Sequence, residues 1–377
     1  MFLSLGVRHT FGVFLQPVTQ ANGWGREVFA LAIALQNLVW GLMQPWVGRY
    51  ADKHGATPVV LAGGLFLAFG VGGMALTSHP AVFVLFAGIF VGLGLSGTTF
   101  PVVYGAVSRV VPANQRDMAY AMAMALGSFG QFAFLPLSVG LLGRFGWIAS
   151  LLCFAVALLM IVPLSRALLP CKPVAGGVQT SAMQALRQAF SVRDYHWLSV
   201  GYFVCGFHVV FIGVHLPAYL LDQGLPAQVG STALALIGLF NIAGSLMAGK
   251  LAGRFSRSHL LAGIYFSRSV AVLLFTQLPL SQFSVYVFAA AMGFLWLSTV
   301  PLTNGTVATQ FGLGNVGMLT GMVFLWHQVG AFLGGWLGGR IFDLLGSYEA
   351  MWWMCIALGV VAAGFCWPVR QRLLVPA

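Results

Sequence analysis

Acidic side chains are scarce in this sequence: seven Asp and Glu stand among 377 residues, and charged residues of both signs make up only 7% of the chain. A water-soluble domain carries about 25%, so a chain this poor in charge is excluded from the soluble globular class. Cysteine is sparse as well. The five present (Cys153, Cys171, Cys205, Cys355, Cys366) show no CxxC spacing, which excludes a disulfide framework or a metal centre. The start of the chain lacks the basic segment, apolar core and small-residue cleavage site of a secretory signal, so the first apolar run is expected to belong to the mature protein. The formal charge of +11 does not signal a nucleic-acid partner, because the basic residues stand singly between apolar runs instead of forming a patch. Gly92-Leu-Gly94-Leu-Ser-Gly97 formally matches a dinucleotide fingerprint, but it lies inside an apolar run and not after a strand. No cofactor is therefore expected, and without a P-loop no nucleotide supplies energy.

What is present is hydrophobicity, 59% of residues. The apolar runs last about 20 residues, the length that crosses a hydrocarbon core of roughly 30 Å. Charged and Pro/Gly-containing turns divide them into spans near 1–20, 28–50, 58–77, 82–108, 117–142 and 145–168, then 196–221, 228–252, 259–277, 282–308, 316–339 and 348–368. Basic residues accumulate on one side of this alternation (Arg49, Lys53, Arg166, Arg187, Lys250, Arg254 among them), against Arg26, Arg144 and Arg340 on the other. The positive-inside rule makes the richer side cytoplasmic, with both termini there. The polar stretch from Leu169 to Tyr195 divides the chain into two equal halves, 1–168 and 196–377, and is the expected cytoplasmic linker, 169–195. Its part from Ser181 to Phe190 reads as a short amphipathic surface helix or as a solvated loop.

Displacing the chain against itself by about 200 residues superimposes Pro101 and Gly105 on Pro301 and Gly305. It also brings Gly48-Arg-Tyr-Ala-Asp52-Lys53-His-Gly55 near Gly249-Lys-Leu-Ala-Gly253-Arg254-Phe-Ser256. A duplicated six-span unit accounts for both. Carriers built from parallel repeats hold substrate near the midplane and alternate access by rocking one half against the other.

The Gly48 to Gly55 stretch resembles the major facilitator loop signature GxxxD(R/K)xGx(R/K), with Thr57 where the last basic residue is usual. Gly6-Val-Arg8-His-Thr-Phe-Gly12, Gln36-Asn37, Gln44-Pro45, His215-Leu-Pro217-Ala-Tyr219 and His327-Gln328 resemble the bacterial branch near the monocarboxylate and oxalate/formate carriers. The resemblance implies an all-α membrane protein of twelve transmembrane helices in two pseudo-symmetric six-helix bundles. Only seven residues precede Arg8, where such relatives have an apolar lead. The first helix is accordingly expected to be truncated at its cytoplasmic end.

Charged side chains at membrane depth face a cavity or a partner. Arg8 in span 1 and Arg268 in span 9 are the two such residues, and both are candidates for binding substrate; for Arg268 the other reading is an arginine bonding backbone carbonyls between helices. No carboxylate falls deep in any span, so the interior is net positive and favours an anion. Tyr104, Gln131 and Asn304 are further candidates for the cavity wall. His208, His215 and His327 are candidates for proton coupling, since histidine titrates near neutral pH; helix-to-helix hydrogen bonding is their other reading, and no metal is expected at the His208/His215 pair. Gly48, Asp52, Lys53, Gly55, Arg109 and Arg116 are expected to form a gating loop.

These observations lead to a secondary carrier of the cytoplasmic membrane, not an enzyme, moving a small organic anion (a mono- or dicarboxylate) with protons or a counter-anion as partner and acting as a monomer in the lipid bilayer. Two alternatives stay open. One is an exporter of neutral or amphipathic compounds, although span 5 lacks the Gly-Pro signature common in antiporters, having Gly127, Gly130 and a distant Pro136. The other is a truncated, inactive carrier or a membrane sensor.

Overall fold

The computed structural model describes residues 1–112, 115–166, 181–312 and 316–371, without the side chains of Arg26, Asp52, Ser108, Arg109, Arg116, Asp117 and Ala182. Backbone polar groups in lipid must be satisfied within their own segment, which leaves helices as the structure these runs adopt. Among the described residues ten helices are long and apolar enough to cross a bilayer. One of them, Met118–Ser165, has 48 residues and turns at Gly146, whose φ of 73° is readily adopted only without a Cβ. It supplies spans 5 and 6. Span 1 is built in two pieces, Phe2–His9 and Phe11–Asn22, which together rise by about 30 Å. The remainder are span 2 (Arg26–His54), span 3 (Ala56–Ala75), span 7 (Arg193–Asp222), span 8 (Ala227–Ala252), span 9 (Arg257–Gln277), span 11 (Val316–Leu345) and span 12 (Glu349–Cys366).

Spans 4 and 10 are each interrupted at corresponding places. In span 4 the helix ends at Thr98, Thr99 is extended (φ −122°, ψ −162°), and a new helix runs Phe100–Val110. In span 10 the helix Gln282–Leu295 stops and, after three intervening residues, Thr299–Phe311 begins. The cause lies in the sequence: Pro101 and Pro301 have no N–H to give the preceding turn and clash with its carbonyl, so each break falls just before a proline that tolerates the first turn of the next helix.

Helix pairings also repeat. Span 1 packs on span 5 as span 7 does on span 11; span 2 meets span 4 as span 8 meets span 10; span 3 meets span 6 as span 9 meets span 12. Across the middle of the molecule, span 2 lies along span 11 and span 5 along span 8. Small residues set these approaches: a Cβ on Gly321 would lie 3.2 Å from the Pro45 backbone, and one on Gly48 would lie 3.2 Å from the Gly317 carbonyl. Asn241 ties three spans together. Its Nδ2 donates to Ser128 Oγ of span 5 at 2.8 Å, and its Oδ1 accepts from the Leu297 amide at the span 10 break at 2.9 Å.

The stretch ahead of span 7 resolves one open alternative. Ala182–Ser191 is an amphipathic helix, started by a capping box in which Ser181 and Gln184 exchange hydrogen bonds. The remainder of the expected linker, up to residue 180, lies outside the described residues. At the same end of the molecule Asp194 holds Arg370 by an ion pair of 3.0 Å and accepts the Arg370 amide, fastening the segment after span 12 to the start of span 7. The carboxylate raises the Arg370 guanidinium pKa further by accepting its hydrogen bonds.

Candidate functional site

Midway along the bundle, spans 1, 2, 4, 5, 7, 10 and 11 enclose a cavity of about 60 Å³, room for a few water-sized groups. Span 1 contributes Arg8 and His9, span 2 contributes Gln36 and Trp40, span 5 contributes Gln131 and span 11 contributes His327. The two broken spans open into the same space, through Phe100 on one side and Trp296 and Leu297 on the other.

Arg8 is the cation of this cavity. Its Nη2 donates to Asn37 Oδ1 at 2.5 Å, and the guanidinium lies 5.0 Å from the centre of the Trp40 ring. Trp40 is in turn fixed by its indole N–H, which donates to Thr99 Oγ1 at the span 4 break (3.0 Å) and to Gln44 Oε1 (3.1 Å). Gln44 Nε2 caps the Ser96 carbonyl. A residue freed by the break in span 4 therefore orients the ring that orients Arg8. Among the described residues no carboxylate lines the cavity.

Several cavity-wall atoms are buried without a hydrogen-bond partner: Arg8 Nε, both amide atoms of Gln36, Gln131 Oε1 and His9 Nε2. Buried polar groups are normally paired. Unpaired atoms also stand at Arg268, on its own Nη1 and on the Tyr265 Oη beside it.

Of the residues singled out from sequence, Arg8, Gln131 and His327 are brought together here, and the others lie elsewhere. Arg268 is fully buried halfway along span 9, yet its guanidinium is directed at the break in span 10. Nε donates to the Leu295 carbonyl at 3.3 Å and Nη2 to the same oxygen at 2.7 Å, with a further short bond from Nη2 to the Trp296 carbonyl. These carbonyls lost their helical partners when span 10 broke, so Arg268 occupies the position of a helix C-cap. His208 Nε2 bonds the Cys355 carbonyl at 2.8 Å. His215 bonds the Gly335 carbonyl (2.8 Å) through Nε2 and Tyr348 Oη (3.2 Å) through Nδ1. Both join neighbouring helices. Tyr104 stacks on Tyr120 at 4.7 Å, and Asn304 bonds the Val300 carbonyl of its own helix at 2.8 Å. In the loop signature, Gly48 touches span 11, Lys53 is exposed and Gly55 ends span 2 with φ 90°. The side chains of Asp52, Arg109 and Arg116 lie outside the described residues.

Sequence reasoning passed over His9, Trp40 and Trp296, and did not place Gln36 among the candidates for the cavity wall. The one available signal was position: His9 adjoins Arg8, and Trp296 stands five residues ahead of Pro301.

Loss of Arg268 tests its role. Arg268→Gln is expected to lower thermal stability by about 2 kcal/mol, because two carbonyls are left bare in an apolar interior, and to leave ligand affinity within about twofold. Reduced affinity at unchanged stability would place Arg268 in contact with the substrate instead.

Known proteins agree with this architecture. The family profile described as Major Facilitator Superfamily matches residues 1–335. An uncharacterized MFS-type transporter of Bacillus subtilis, YcxA, is 24% identical, with 93% of this chain aligned to 87% of that one. Mouse monocarboxylate transporter 11 is 26% identical over 99% of this chain and 85% of its own length, and bovine monocarboxylate transporter 13 is 24% identical over 92% and 82%. Among solved structures, the E. coli fucose:proton symporter FucP superposes with a TM-score of 0.72 at 15% identity, covering 98% of this chain and 97% of that one.

Proposed function

The chain belongs to the major facilitator superfamily, and from that premise we propose that it carries a small organic anion, a mono- or dicarboxylate, across the cytoplasmic membrane by alternating access. The observation that carries the reading is Arg8: a guanidinium at the cavity wall with no carboxylate opposite it among the described residues, and with unpartnered atoms of Gln36, Gln131 and His9 around it. In an apolar interior an anion gives that charge a partner and the neighbouring donors a hydrogen-bond acceptor. The monocarboxylate transporters among the relatives are in keeping with it.

The halves 1–168 and 196–377 are the bodies that rock, joined by 169–195, with the termini cytoplasmic. Contact lines 2/11 and 5/8 are where they slide. Trp40, Phe100 and Phe324 meet across that line at centroid distances of 5.0 to 6.2 Å and close the cavity toward the end bearing the Gly48–Gly55 turn. Substrate release at that end requires these rings to separate. Protons or a counter-anion drive the cycle. Of the three histidines named as coupling residues, His327 is the one that lines the cavity, its Nδ1 being engaged by Gln328 Oε1 at 2.9 Å.

Thermal stabilisation of the purified protein across mono- and dicarboxylates, sugars, amino acids and cationic dyes tests the proposal. A carboxylate at a hundred times its Kd is expected to add about 2.7 kcal/mol of stability. A response confined to dyes or neutral compounds would replace the anion carrier with an exporter.

A further inference from the structure

A second cavity of about 100 Å³ adjoins the one around Arg8, toward the end of the molecule opposite the Gly48–Gly55 turn, and both are lined by Gly12 and Val214. It lies between the outer parts of spans 1 and 7 and the start of span 8. Its wall is apolar: Leu15, Pro217, Ala218 and Leu221 face it, and the polar residues there are the uncharged Gln16 and Ser231. Arg8, Gly12 and Gln16 follow one another at intervals of one helical turn, so the two cavities together extend roughly 12 Å along span 1 from the guanidinium.

We infer that the transported anion is a monocarboxylate with an extended apolar tail, its carboxylate on Arg8 and its tail in the cavity between spans 1, 7 and 8. This rests on the anion-carrier reading and narrows it. Two observations support the narrowing. Among the described residues the distal cavity offers no cation to a second carboxylate, which would enter an uncharged, apolar space without a counter-charge and be disfavoured there. The same cavity is already free of side chains, so an alkyl or aryl tail enters it without displacing packed groups, and its burial adds affinity in proportion to its length. Gly12 and Val214 stand where head and tail subsites adjoin, and Gly12 leaves open the space beside the Gly213 carbonyl, where a Cβ would stand 3.2 Å from that oxygen.

The test is a chain-length series, acetate, butyrate, hexanoate and octanoate, with adipate as the dicarboxylate, titrated calorimetrically into the protein in lipid nanodiscs and into empty nanodiscs as the partition blank. Affinity is expected to rise about fourfold per methylene until the second cavity is filled, with adipate weaker than hexanoate. Ala218→Leu, which places bulk in the distal cavity alone, is expected to lower hexanoate and octanoate affinity at least tenfold and to leave acetate within twofold. A flat or falling series, adipate binding tighter than hexanoate, or a chain-length gain untouched by Ala218→Leu would each overturn the inference while Arg8-dependent acetate binding left the anion carrier standing. Absence of binding by every carboxylate, or binding indifferent to Arg8→Gln, would instead remove the carrier reading itself and this inference with it.

Discussion

Arg8→Gln is expected to weaken carboxylate binding ten- to a hundredfold, with little change in the melting temperature of the unliganded protein. The magnitude follows from what is lost. A hydrogen bond to a charged group contributes about 1.5 to 3 kcal/mol, and Arg8 is the guanidinium that lines the cavity. Arg268 does not compensate, since it does not line this cavity and its Nε and Nη2 are committed to the Leu295 and Trp296 carbonyls. The fold tolerates the change because Arg8 holds no helix end: its partners are the Asn37 amide and the face of Trp40, and Trp40 keeps its bonds to Thr99 and Gln44. Arg8→Lys is expected to recover part of the affinity, since it restores the charge without the planar fork. Calorimetric titration with the carboxylate that stabilises the protein most checks both variants. Equal affinity in wild type and Arg8→Gln would end the assignment of this cavity as an anion site.

The largest effect on folding is expected at Gly206. A methyl group there would collide with the His327 carbonyl, and Gly330 stands in the same relation to the Phe203 carbonyl on the opposite face of the contact. Spans 7 and 11 thus approach backbone to backbone, and neither helix can yield without opening the cavity wall that His327 shares with Val209 and Val210. Overpacking a well-filled core costs about 1 to 3 kcal/mol and occasionally more, and here the obstacle is backbone. Gly206→Ala is expected to reach or exceed the top of that range and to lower the yield of folded protein severalfold. Gly213→Ala, seven residues along the same helix, meets nothing within 4 Å and is expected to be neutral or slightly stabilising, as alanine is the better helix former. Size-exclusion profiles and melting temperatures of the two variants decide it: equal behaviour would mean that spans 7 and 11 are not packed this closely.

Much of the architecture was legible in the sequence because it depends on one-dimensional quantities. Run length against bilayer thickness yields the spans, and the 200-residue offset of Pro101 and Pro301 announces paired helix breaks as well as a repeat. The scarcity of carboxylates and the depth of Arg8 along span 1 pointed to an anion site, and the structure places Arg8 at the wall of a cavity. Of the two readings left open for the later part of the linker, the amphipathic helix is the one the structure holds, begun by the local capping box of Ser181 and Gln184.

The rest depended on rotation about each helix axis. His208 and His215 do share a face, as their seven-residue spacing implies, but that face looks toward spans 11 and 12 and away from the cavity. Arg268 is as deep as the sequence placed it, yet its side chain meets carbonyls that exist as free acceptors only because span 10 breaks in a neighbouring helix. Gln36 resembled any interhelical amide until the helices around it left both of its polar atoms without a partner. Depth along a span follows from counting at 1.5 Å per residue, so the sequence by itself determined which residues lie near the midplane and that the interior is net positive. Which of them face one another across a cavity is set by packing between segments far apart in the chain, and the tertiary structure alone decided that Arg8, Gln36, Gln131 and His327 meet while Arg268, Tyr104 and Asn304 do not.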